Sequence, residues 1–140
     1  MKTTLPSRFL QRVLLADAFV SVLVAALQLA FTRTLAGLLG LSDMLLFETG
    51  VFLVGYCGLL AWLARGKPVP SLLLWFLVIG NAGWALGCTA VAMAERPNAL
   101  GLAFLLVQAV TVLVFAGLEF AGIRDSARTG GASLGAAALR

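Results

Sequence analysis

The stretch Leu45–Ala94 reads LLFETGVFLVGYCGLLAWL, then ARGKPVP, then SLLLWFLVIGNAGWALGCTAVAMA. Two long apolar runs flank a short basic segment with two prolines. A helix needs about 20 apolar residues to cross a hydrocarbon core about 30 Å thick. Both runs meet that length. Pro68 and Pro70 cannot sit together inside one helix, so Gly66-Lys67-Pro68-Val69-Pro70 is a tight turn. The reading is two spans, about Leu45–Leu63 and Ser71–Ala94, running antiparallel.

Working outward, the pattern repeats on both sides. A first span runs from about Val13 to Phe31, with Ser7 as its N-cap. A fourth runs from about Ala99 to Ile123, after the turn Glu95-Arg96-Pro97-Asn98. Between spans one and two, Thr32–Asp43 holds Arg33, Gly37, Gly40 and Asp43, a loop. Its leucines suit a short helix in the membrane interface. Ser42 or Asp43 caps the second span. After Ile123 the residues turn small and polar, which predicts a weakly ordered cytoplasmic tail over 126–140. The expected fold is all-α: one four-helix transmembrane bundle over 1–125, with up-down topology.

Composition agrees. Of 140 residues 61% are hydrophobic and 11% charged, against about 25% charged in an ordinary soluble domain. Lys2, Arg8, Arg12, Arg65, Lys67, Arg124, Arg128 and Arg140 fall on one side of the spans, and Arg33 and Arg96 on the other. By the positive-inside rule both termini are cytoplasmic. The net charge of +4 then belongs to the helix flanks, and no basic stripe with interleaved aromatics points to nucleic acid. Arg8, Arg12 and Asp17 interrupt the first apolar run, so it reads as an uncleaved span rather than a signal peptide.

Several chemistries lack their residues. With no His, the usual general base and the commonest metal ligand are missing. Cys57 and Cys88 form no CxxC. At a rise of about 1.5 Å per residue they sit roughly 9 and 26 Å above the cytoplasmic span ends, too far apart for a disulfide. No nucleophile–base pair and no phosphate loop can be written. The expectation is a non-enzymatic protein with no cofactor and no metal.

Ionisable and polar groups at membrane depth are costly and mark candidate sites. On the same rise Asp17, Tyr56, Asn81 and Thr111 stand roughly 6, 10, 15 and 18 Å up. A second layer of Gln28, Glu48, Trp84 and Gln108 stands at roughly 20–23 Å. Asp17, Ser21, Val24 and Gln28 share one helix face, and so do Gln108, Thr111, Phe115 and Glu119. These stripes should face protein rather than lipid. Asp17 has no cation one turn away, so it either holds a proton or pairs across helices. Glu119 sits near the boundary, one turn from Arg124, and is expected to pair there. Interhelical hydrogen bonding accounts for the neutral members. Gly80, Gly83, Gly87, Gly55 and Gly58 suggest close helix packing, within the bundle more than between copies.

Leu15-Ala16-Asp17-Ala18, Gly80-Asn81-Ala82-Gly83-Trp84-Ala85-Leu86-Gly87, Val107-Gln108-Ala109-Val110 and Glu119-Phe120-Ala121-Gly122-Ile123-Arg124 together resemble a group of uncharacterised small bacterial four-span integral membrane proteins. The resemblance covers most of residues 8–125 and implies a bacterial inner membrane. The small multidrug transporters also have four spans and a carboxylate in helix one. The surroundings of Asp17 do not look like theirs, so their mechanism is not carried over. Two functions follow as expectations. One is an accessory or interaction module. The other is an oligomeric small-molecule or proton-coupled transporter that uses the Asp17 layer. The expected partners are the lipid bilayer and either a second copy or another membrane protein.

Overall fold

Each long helix starts and stops where local chemistry dictates. In the computed structural model, which describes residues 3–138 and the side chains of 3–128, the elements are β1 (Thr3–Thr4), α1 (Arg8–Ala30), α2 (Thr32–Leu39), α3 (Asp43–Leu63), β2 (Val69–Pro70), α4 (Ser71–Glu95) and α5 (Ala99–Ala138). Ser7 caps α1, its hydroxyl accepting from the Leu10 N–H at 3.2 Å. Ser42 caps α3 in the same way, from the Leu45 N–H at 3.4 Å. Arg96, at φ 49°, ends α4 in the left-handed region. Four of the helices are long and apolar enough to cross a membrane. The protein is a multi-pass membrane protein with an all-α four-helix bundle. Large apolar side chains such as Ile79, Leu86 and Leu106 are more than 60% exposed, as a lipid-facing surface requires.

Three features go beyond or against the sequence reading. The expected loop after α1 is largely the short helix α2. It turns Ala36 and Leu39 inward onto Leu46, Cys88 and Leu105. At the opposite end, β1 pairs antiparallel with β2, Thr3 opposite Pro70 and Thr4 opposite Val69. Nothing in two-residue strands marks them in sequence. The third feature is the length of α5, which runs on past Ile123 through Ala138. The segment is proline-free and rich in alanine, the best helix former. Ser126 also pins the helix, since its hydroxyl donates to the Gly122 carbonyl at 2.7 Å and accepts from the Ser7 N–H at 2.9 Å. Leu139 and Arg140 lie outside the described residues.

The helices are not packed evenly. Helix α1 lies along both α3 and α5, and α4 lies along α5, whereas α3 and α4 barely meet. The packed seams have glycines at the closest approach. A Cβ on Gly50 would come within 2.9 Å of Leu29, and one on Gly122 within 2.9 Å of Leu10. One on Gly101 would overlap the Leu39 backbone carbonyl. The glycines singled out by spacing behave differently. Gly55, Gly58, Gly80, Gly83 and Gly87 have nothing within 4 Å of a built Cβ. They do not mediate packing inside the bundle, because they lie on faces of α3 and α4 turned away from α1 and α5. One buried cluster (Leu10, Leu14, Leu60, Leu63, Leu74, Leu77) fills the clasped end, and a second (Leu39, Leu41, Leu46, Cys88, Leu105) fills the other. The polar groups lie between them.

Candidate functional site

Four helices converge on one acid pair. Helix α1 supplies Asp17 and Ser21, one turn apart; α3 supplies Tyr56, α4 Asn81 and α5 Glu119. Asp17, Asn81 and Glu119 are 2%, 4% and 1% exposed. Ser21 donates to Asp17 Oδ1 at 3.2 Å. The Tyr56 hydroxyl lies 3.0 Å from Asp17 Oδ2 and 3.3 Å from Asn81 Oδ1, and its one proton serves either acceptor. The Asn81 amide spends its two protons on two acids. It donates to Glu119 Oε2 at 3.1 Å and to Asp17 Oδ2 at 3.5 Å.

The pair is short of both charge and donors. Among the described residues, the hydrogen-bond partners of the two carboxyls are Ser21, Tyr56 and Asn81, all uncharged. Glu119 Oε1 is buried with no hydrogen-bond partner. The Asn81 amide is what joins the two carboxyls, one N–H to each. A doubly ionised pair would leave two uncompensated charges in an apolar interior, which is strongly unfavourable.

This corrects the expectation for Glu119. It does not pair with Arg124, whose guanidinium instead sits 5.5 Å over the Phe120 ring. The α5 stripe turns Glu119 inward to Asn81. Asp17 pairs with no cation; it takes the cross-helix hydrogen bonds.

The upper layer holds neutral groups. Trp84 Nε1 donates to Gln108 Oε1 at 3.2 Å, joining α4 to α5. Gln28, 2% exposed, is met by Thr49 at 3.4 Å, although the Thr49 proton has a shorter acceptor in the Leu45 carbonyl at 2.7 Å. Thr49 was not among the expected residues; a threonine one position from a glutamate is easily passed over. Glu48 does not join this layer. It is exposed on α3, because its helix turns Thr49 and Gly50 inward and leaves Glu48 on the outer face. Thr111 lines the cavity described next. Cys57 and Cys88 are free thiols.

Space accompanies the acids. A cavity of about 180 Å³ is walled by Asp17, Ser21, Tyr56, Asn81, Trp84 and Gln108, together with Phe52 and Phe76. A second, of about 250 Å³, lies on the far side of Trp84, lined by Gln28, Thr49, Gly83, Gly87 and Cys88 among others. Phe52 bridges the α3–α4 gap between them, its ring stacked on Trp84 at 5.7 Å and next to Tyr56 at 6.4 Å. Phe52 and Phe76 are each 58% exposed, so the first cavity opens sideways between α3 and α4. Among the described residues no group of three or more His, Cys, Asp or Glu side chains could hold a metal ion.

No protein-family model, curated protein or solved structure matches the chain.

Proposed function

We propose that this multi-pass membrane protein is a non-enzymatic, proton-coupled carrier of a bacterial inner membrane. One observation carries the reading: two buried carboxyls from α1 and α5, joined through the Asn81 amide, with uncharged hydrogen-bond partners and a cavity alongside. A structural hydrogen bond does not need two acids. Helix packing is served as well by neutral partners, as Trp84 and Gln108 do one layer away. An acid pair that must keep at least one proton while buried can release it when another charge or water enters the cavity. That is the elementary step of proton coupling.

Other features support the placement. Arg8, Arg12, Arg65, Lys67, Arg124 and Arg128 lie at the end of the bundle that carries both the N-terminus and the end of the fourth span, and Arg33 and Arg96 at the other. The positive-inside rule makes the first end cytoplasmic. The resemblance to small bacterial four-span proteins supports an inner membrane. A bundle of four helices has no wide pore, so the carrier works as a dimer or larger assembly.

The test is an infrared pH titration of the purified protein in lipid nanodiscs. The expected result is a protonated-carboxyl band that changes with pH and is lost in both Asp17→Asn and Glu119→Gln. A band that ignores pH, or survives both substitutions, overturns the carrier. The polar centre is then structural, and the protein is an accessory or interaction module.

A further inference from the structure

Resting on the proton-exchange reading above, we infer that the cavity binds a one-ring organic cation, which enters sideways from the bilayer through the gap between α3 and α4. Four features select that chemistry.

The first is size. An engineered apolar cavity of about 150 Å³ holds benzene, and this one measures about 180 Å³. It takes one ring or one small ammonium head. The second is charge. Asp17 at its wall has uncharged hydrogen-bond donors, and Glu119 behind Asn81 keeps an unpartnered Oε1. An anionic or neutral guest would leave that imbalance in place. A cation replaces a proton that the pair holds. The third is the wall. Tyr56, Phe52 and Trp84 form a near-parallel row, with interplanar angles of 11° and 18°, and Phe76 lines the cavity from α4. Aromatic rings attract desolvated organic ammonium groups, whereas a hydrated metal ion would want oxygen ligands in number. The fourth is access. Gly80 lines the cavity on α4 and has nothing within 4 Å of a built Cβ, so the helix face beside Asn81 is open there.

The exchange balances. The cation arrives with one positive charge, the acid O–H breaks, and its proton leaves to water with the total charge of the site unchanged.

The experiment uses the full chain in detergent, weakly buffered, with a pH indicator. The probe is benzyltrimethylammonium, whose charge is permanent. Its neutral isostere neopentylbenzene is the control. The expected result is saturable binding with close to one proton released per bound cation. The isostere should bind at least tenfold more weakly and release none. Asp17→Asn should abolish the proton release. Phe52→Leu alters an exposed ring and should leave the fold intact. It should weaken binding about tenfold, with the protons released per bound cation unchanged. Equal binding of the isostere, or binding with no proton released by the wild-type chain, overturns the inference. An infrared band that titrates while no cation binds also overturns it and leaves the proton reading standing. Loss of both brings down the two together.

Discussion

Two sides of one bundle are held in opposite ways. Along α1–α3 and α1–α5, helices touch backbone to side chain, and Gly50 and Gly122 are there because a methyl would not fit. Gly101 serves the same purpose where α5 meets α2. Along the middle of α3–α4, Gly80, Gly83 and Gly87 face open space and long side chains span the gap: Tyr56 to Asn81, and Phe52 to Trp84. The difference separates stability from access. Packed seams hold the fold, and the open side leads to the acids.

Substitutions can break that contrast or sharpen it. The largest effect is expected for Gly101→Ala. Its Cβ would overlap a backbone carbonyl, which cannot swing aside like a side chain. The expected loss is about 3 kcal/mol, read as the free energy of unfolding in a detergent titration followed by circular dichroism. A cost under about 0.5 kcal/mol would mean that α5 and α2 are less tightly joined than drawn. Next comes Asn81→Leu, which strips the one amide shared by two buried acids. About 2 kcal/mol should go, since each orphaned buried group costs about 1–3; the same melts report it. Gln108→Leu removes a single neutral bond to Trp84. Interhelical bonds of this kind average about 0.6 kcal/mol, so a loss near that of Asn81→Leu would show that the upper layer is no mere tie. The smallest change has the opposite sign. Gly83→Ala on the open side meets nothing and gains helix propensity, so stability should rise by about 0.5 kcal/mol. Destabilisation there would place a partner or a second copy against α4.

Much of this was legible from residue order. Spans, caps and the inward faces of the polar stripes follow from apolar run length and helical period, which are local properties. The Asp17 centre was reachable in the same way, because Asp17, Ser21 and Asn81 stand out in apolar helices. Glu119 was misplaced for a physical reason. Its height above the span end equals that of Asp17, but proximity to Arg124 along the chain suggested a surface pair. Height says nothing of azimuth; the helix turned Glu119 one way and Arg124 another. The glycines failed similarly. Spacing such as that of Gly83 and Gly87 describes a smooth face, and only the packing decides whether a neighbour uses it. The β1–β2 clasp depends on contacts across 67 positions, as between Thr4 and Ser71, and leaves no periodic trace.

The separation of the acid centre's members along the chain bears on how the protein is made. Asp17 lies 39 residues before Tyr56 and 64 before Asn81. A ribosome therefore delivers the first helix to the bilayer well before those partners exist. During that interval the acid's one companion is Ser21, on its own helix a turn away. An aspartate at the centre of a span opposes insertion by about 2.5–3.5 kcal/mol; Asp17, nearer the cytoplasmic end, opposes it by less, and the leucines, valines and phenylalanines around it must outweigh that alone. Their abundance in α1 is thus a condition of biogenesis, apart from anything the finished bundle requires.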